Sequence, residues 1–353
     1  MPHERINWVD HAKGVCIVLI VAMHAALGYG DIVQQNSWMA VVVVAWAEPA
    51  LLPAFFFLAA LFLQMTLFGP SKRFLDRKIL HFAYFYLIWL LIQKTVLDSS
   101  LMMSAPIAFL GDILTALVSP PDSLILVYML IVFHATARLL RFLPTEKVFV
   151  AAALLQCAFA TGWVDTGWTV ANQFGAWFVF FFAGFVAAPY VFELAERVSG
   201  HSQQIWNALL GWALVNGAFV ALNVAELPVI SLALGFTGTA AIISLGIQLC
   251  RLKWLAILGH AGRHCLVIYL TFTIPVIALQ QVFAANGQMV DTGLACLVIT
   301  LGGLAVPLLL YRLVRNTPLS AVYHRPLSLR LSYSRERSSA SLLPPPPSTT
   351  RNA

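Results

Sequence analysis

Apolar residues in this chain fall in long unbroken runs separated by short polar connections, and the runs lack the alternation of barrel strands. Val15–Tyr29 and Val229–Leu249 are examples. Runs of this kind and length predict helices, and about 20 apolar residues suffice to cross a bilayer core. Lipid offers no partner to an exposed peptide group, so a spanning segment is a helix or part of a closed barrel. Helical spans are expected at about 12–30, 39–67, 79–97, 122–140, 148–163, 173–189, 205–222, 228–249, 264–285 and 292–312. Pro49 and Pro53 each remove a backbone donor, which predicts a break in the second span. Between the third and fourth, Ile107–Val118 reads as a short interfacial helix ended by Pro120 and Pro121.

Composition agrees. The 353 residues are 60% hydrophobic and only 10% charged, against about 25% charged in a soluble domain. Charge then orients the spans. Lys and Arg cluster on alternate connections: Arg5 and Lys13; Lys72, Arg73, Arg77 and Lys78; Arg138, Arg141 and Lys147; Arg197; Arg251, Lys253 and Arg263; Arg312, Arg315 and Arg325. The opposite connections hold Asp31, Asp98, Asp112, Asp122, Asp165, Glu226 and Asp291, with no Lys or Arg. An all-α polytopic membrane protein with about ten transmembrane helices and both termini cytoplasmic satisfies this pattern. The net charge of +6 reflects it too, and nucleic acid is not an expected partner. Met1–Lys13 is too polar for a cleavable signal, so the first span is expected to act as an anchor. Residues 1–326 read as one membrane domain. Residues 327–353, with Ser338–Ser341 and Pro344–Pro347, read as a disordered cytoplasmic tail. Trp163 and Trp168 suit an interfacial belt.

Candidate chemistry starts in the first span. Lys13 and His24 are eleven residues apart, which sets them within about 20° of one helical face and roughly 16 Å apart along the axis. An ionisable group at mid-membrane is costly and faces protein or water, and histidine exchanges protons near neutral pH. A histidine hydrogen-bonded inside a bundle is the plainer reading. Asp10 lies on nearly the same face, where it orients Lys13 or favours the helix start. Glu48 falls in the second span and is available to pair with a base or line an acceptor path. The basic run Lys72 to Lys78 is explained by topology alone; its chemical reading is binding of the phosphates of a cytoplasmic cosubstrate such as acyl-coenzyme A. Lys94 departs from the charge rule; it either snorkels to headgroups or binds an acceptor. Tyr128, Asn172, Asn216 and Asn223 are suited to hydrogen bonds between helices. His81, His134, His260 and His264 fit no ligand spacing, the five cysteines have no metal or disulfide pattern, and no metal is expected.

Together these blocks resemble a family. RINWVDHAKGVCIVLIVAMHAALG (residues 5–28) is similar to the first helix of the acyltransferase-3 family of integral membrane O-acyltransferases, including its basic-x10-His pattern. LLPAFFFLAALF (51–62), KRFLDRKILHFAYFYLIW (72–89), WFVFFFAGFVAA (177–188), LGHAGRHCLVIYLTFTIP (258–275) and YRLVRNTPLSAVYHRP (311–326) resemble later family blocks in order. Ala59 and Ala60 stand where Ser-Gly is common, Arg73 and Arg77 are one residue further apart than the usual pair, and Ser123–Tyr128 replaces a Trp-Phe block while keeping its tyrosine. The resemblance implies a multi-pass protein of a bacterial inner membrane. It implies transfer of an acyl group, acetyl or succinyl, from cytoplasmic acyl-coenzyme A to a hydroxyl of a surface or lipid-linked carbohydrate. Carried over from the family, His24 would be the central catalytic residue, Lys13 its basic companion, and Arg73 and Arg77 the donor-binding pair. The reading of the residues adds Glu48 beside His24, Lys78 beside the donor pair, and Tyr128 and Lys94 on the acceptor side. The rival expectation is a glycan or lipid transporter without bond chemistry. The absence of a visible internal repeat, common in transporters, counts against it.

Overall fold

The computed structural model describes residues 7–331 apart from 36, 161, 163, 199 and 286–290. It is 84% helical, with no strand among the described residues. The helices are α1 Asn7–Val33, α2 Met39–Ala60, α3 Ser71–Leu97, α4 Pro106–Ala116, α5 Asp122–Leu140, α6 Thr145–Ala160, α7 Thr169–Val198, α8 Ser202–Ala221, α9 Pro228–Leu249, α10 Ala256–Arg263, α11 Cys265–Thr271, α12 Thr273–Ala285 and α13 Thr292–Val314.

Each expected span contains a helix, but not every helix has the length and apolarity to cross a membrane. Among the described residues seven do (α1, α2, α3, α5, α7, α9 and α13), and the bent pair α11–α12 makes an eighth. α6 has 16 residues, about 24 Å of helix against a core of about 30 Å. α8 carries Gln203, Gln204, Asn207 and Asn216, which lower its mean hydropathy.

α2 corrects the expected break. The helix continues through Pro49 and Pro53 and stops at Ala60, well before residue 67. It opens with a π-helical stretch, Met39–Val44. Local π adjustments and packing neighbours are what let a membrane helix carry proline. The break lies elsewhere. α11 and α12 meet at 49°, because Pro275 has no N–H to bond the Thr271 carbonyl one turn earlier.

α1 is the seam of the bundle. It packs against α2 and α9 and also against α10–α13. α6, α7 and α8 complete the half built on α2 and α9, and α3 joins α11 and α12. α5 lies between, touching both α3 and α7. The aromatic run of α7 supplies much of the core: Phe133 of α5 packs 5.4 Å from Phe181 and 4.9 Å from Phe56 of α2, centroid to centroid.

Beyond α13 the chain turns back onto α3. Tyr84 Oη donates to the Ala321 carbonyl at 2.8 Å, and Trp89 Nε1 to the Val322 carbonyl at 2.9 Å. The segment expected to be tail from 327 therefore begins docked, with the Leu331 amide donating to Asp76 Oδ1 at 3.0 Å. Residues 332–353, Arg5 and Trp163 lie outside the described residues.

Candidate active site

His24 sits about two-thirds of the way along α1, half-buried, with its ring 5.0 Å from that of Phe272. Phe272 stands at the α11–α12 break, so the Pro275 bend sets the ring that touches the histidine. Gln280 of α12 donates to the His24 carbonyl at 3.0 Å and to the Ala25 carbonyl at 3.3 Å, fixing α12 to this turn of α1. Asp122, the first residue of α5, acts on the imidazole electrostatically. Among the described residues no hydrogen bond engages the His24 ring nitrogens, which leaves them free for a reacting group.

The neighbouring framework is polar and tightly bonded. Gln93 of α3 is buried; it donates to the Leu270 carbonyl at 3.0 Å and accepts from Ser123 Oγ at 2.7 Å. Tyr269 Oη accepts from the Leu126 amide at 3.1 Å, satisfying one of the donors that a helix start leaves open. Sequence reading gave Asp122 only as a charge of the outer connections and did not single out Gln93, Tyr269, Phe272 or Gln280. The usable signal was Pro275, which implies a kink one turn earlier.

Lys13 lies toward the opposite end of α1. Its ammonium is 5.6 Å from the centre of the Phe62 ring and acts electrostatically on Lys78 and Cys265. Lys78 belongs to a π-helical stretch of α3, Leu75–Ile79, a distortion common at functional sites. Here a cavity of about 460 Å³ opens, lined by Thr66, Asp76, Arg77, Lys78, His81, Arg325 and Arg330. Four cations face one carboxylate. That carboxylate is committed to Arg325: Asp76 Oδ1 is 2.8 Å from the guanidinium, which also donates to the Asp76 carbonyl at 2.8 Å and to the Leu329 carbonyl. Arg73 is exposed on the same segment but is not on the cavity wall. Arg325 and Arg330 were read from sequence only as topogenic charge or tail, and the fold brings them to the α3 cluster.

The remaining expected residues stand apart from these two places. Lys94 is paired with Asp98 at 3.0 Å and with Asp112 of α4 at 3.8 Å. Tyr128 donates to the Leu117 carbonyl at 3.1 Å and packs against Tyr86, which donates to the Ala116 carbonyl. Trp168 Nε1 donates to the Val118 carbonyl at 2.8 Å. These residues clamp the long connection around α4. Glu48 is exposed on the wall of a second cavity with Glu226, whose lining does not include His24. Among the described residues, no group of three His, Cys, Asp or Glu is arranged to hold a metal.

The acyltransferase domain family matches residues 6–312 of the chain. No curated protein and no solved structure matches it.

Proposed function

We propose, because this chain belongs to the acyltransferase domain family, that it carries an acyl group from cytoplasmic acyl-coenzyme A to a hydroxyl of a surface or lipid-linked carbohydrate. Family membership makes the protein a membrane acyltransferase, transferring groups other than aminoacyl groups, and decides against the transporter. The donor, the acceptor and an inner-membrane location with cytoplasmic termini are our reading.

The observation that carries the donor assignment is the basic cavity. Arg77, Lys78, Arg325 and Arg330 converge there from two distant parts of the chain, and arginine matches phosphate in both charge and geometry. Lys13 extends that field to the near end of α1. The donor's extended arm then has roughly 16 Å of helix to span before it reaches His24.

At His24 the free imidazole takes the proton of the acceptor hydroxyl as that oxygen attacks the thioester carbonyl. The C–S bond breaks, and the departing thiolate recovers the proton from the imidazolium, leaving an ester and free coenzyme A. Transient acylation of the imidazole reaches the same products in two steps. Phe272 and Gln280 hold the residue in place. Tyr128 serves the acceptor side by holding the α4 connection. Lys94, engaged by two carboxylates, and Glu48, on another cavity, are left out of the reacting centre.

The test is release of free coenzyme A from labelled acyl donor by the purified full chain with a carbohydrate acceptor. His24→Ala should lower turnover by about 10²–10⁴-fold, the usual contribution of a general base, with an unchanged gel-filtration profile. Arg77→Ala should raise the donor KM with a smaller effect on kcat. Undiminished transfer by His24→Ala refutes the mechanism, and movement of labelled glycan into liposomes without any donor refutes the reaction itself.

A further inference from the structure

The second cavity has about the same volume, 460 Å³, within the range of small-molecule sites, roughly 300–1,000 Å³. It lies in the α2–α6–α7–α9 half and shares no lining residue with the basic cavity. Its charge is one-sided, with the neutral amide of Asn223 beside it. Glu48 of α2 and Glu226, between α8 and α9, act on each other electrostatically; among the described residues neither is in an ion pair, and no Lys, Arg or His lines the cavity.

A second observation is independent of the two carboxylates. Gln156 of α6 lines the cavity and is only 2% exposed. Its Nε2 donates to Ser231 Oγ at 3.0 Å, yet its Oε1 accepts no hydrogen bond. A buried acceptor without a donor is costly, and natural structures rarely tolerate one without reason. The helix adds further acceptors, because Pro49 and Pro53 take away the N–H groups that would bond the carbonyls of Ala45 and Pro49, both residues of this wall. Trp177 spends its indole N–H on Gln173 Oε1, at 2.6 Å, so it offers the cavity aromatic surface.

We propose that this cavity binds a sugar-sized polar molecule bearing a protonated amino group. Such a group supplies three N–H donors to the two carboxylates and the orphan acceptor. Its charge offsets the repulsion of Glu48 and Glu226, which a neutral polyol leaves in place, and an ammonium is attracted to an indole face. The site is separate from His24 and the donor cavity, and the inference does not rest on the acyl-transfer reading.

The experiment titrates glucosamine, glucose and N-acetylglucosamine calorimetrically into the full chain in phosphatidylcholine nanodiscs, in phosphate buffer of fixed ionic strength. The three probes share a ring and differ in the amino group. Glucosamine should bind at least tenfold tighter than either neutral sugar, and Glu48→Gln and Glu226→Gln should each weaken it tenfold or more. Gel filtration and thermal unfolding confirm that these nearly isosteric variants stay folded. Gln156→Leu, which removes the orphan acceptor, should weaken glucosamine as well. Equal affinity for the three sugars, no binding of glucosamine, or unchanged binding by both glutamine variants overturns the proposal.

Discussion

Among the charged residues, burial separates those that organise the protein from those that decorate it. Asp76 and Arg325 are buried, with side chains 3% and 6% exposed, and removing one partner strands the other. Asp76→Ala should therefore cost about 3–5 kcal/mol, read as a lower Tm for the purified protein. Lys94 and Asp98 are 23% and 37% exposed; Lys94→Gln should cost no more than about 1 kcal/mol in the same assay. His260 sets a pH dependence. It lies on α10, outside the spans, 4.5 Å from the His264 ring and beside Arg263. Burial, then His264, Arg263 and Arg312, hold it below its ordinary value of 6.5. The unfolded chain takes up that proton first, so stability is full above the unfolded pKa. It is lost as pH falls through that value toward the lower folded one. Tm should fall between pH 7.5 and pH 5.5, and His260→Gln should flatten the decline. Neither Arg325 nor the His260 environment was legible locally, because each depends on residues distant in sequence or on burial.

Among the elements, two contacts set the geometry of the site. α1 and α10 approach backbone to backbone: a Cβ on Gly14 would overlap the Leu258 carbonyl, and one on Gly262 would overlap the Asp10 carbonyl. Small residues permit this close packing in membranes. Gly14→Ala should cost about 1–3 kcal/mol by overpacking, measured by thermal unfolding. The bend between α11 and α12 is the other. Pro275→Ala restores the missing hydrogen bond and straightens the pair, drawing Phe272 away from His24. Activity should drop about 10- to 100-fold, as small misplacements of a reacting group do, while Tm holds or rises. A straight variant with full activity would show that the bend does not position the histidine. The proline was visible in LTFTIP, but which break mattered was not. Pro49 and Pro53 looked equally disruptive, and their helix runs on because its neighbours and its π-helical start absorb the loss.

For the whole molecule, the number of crossings decides which connections share a side of the membrane. If α6 and α8 span despite their short length or polarity, Asp165 faces the side opposite both Arg141 and Arg251. In a background without the native cysteines, a membrane-impermeant thiol reagent applied outside should label Asp165→Cys in intact cells. It should label Arg251→Cys only after permeabilisation. Labelling of Asp165→Cys only after permeabilisation would refute the ten-span topology.

The sequence by itself determined the helical membrane architecture and the family. Both rest on signals carried within single segments: apolar run length, charge on adjoining connections, and blocks such as residues 5–28 in order. It also placed Lys13 and His24 on one face, since helical geometry is local. Only the tertiary structure decided that Arg325 and Arg330 join the α3 cluster, that Lys94 is spent on Asp98 and Asp112, and that Glu48 belongs to a separate cavity. The physical reason is that charge pairing, desolvation and cavity shape depend on which surfaces meet. Helices of nearly uniform apolarity carry little information about that until they pack.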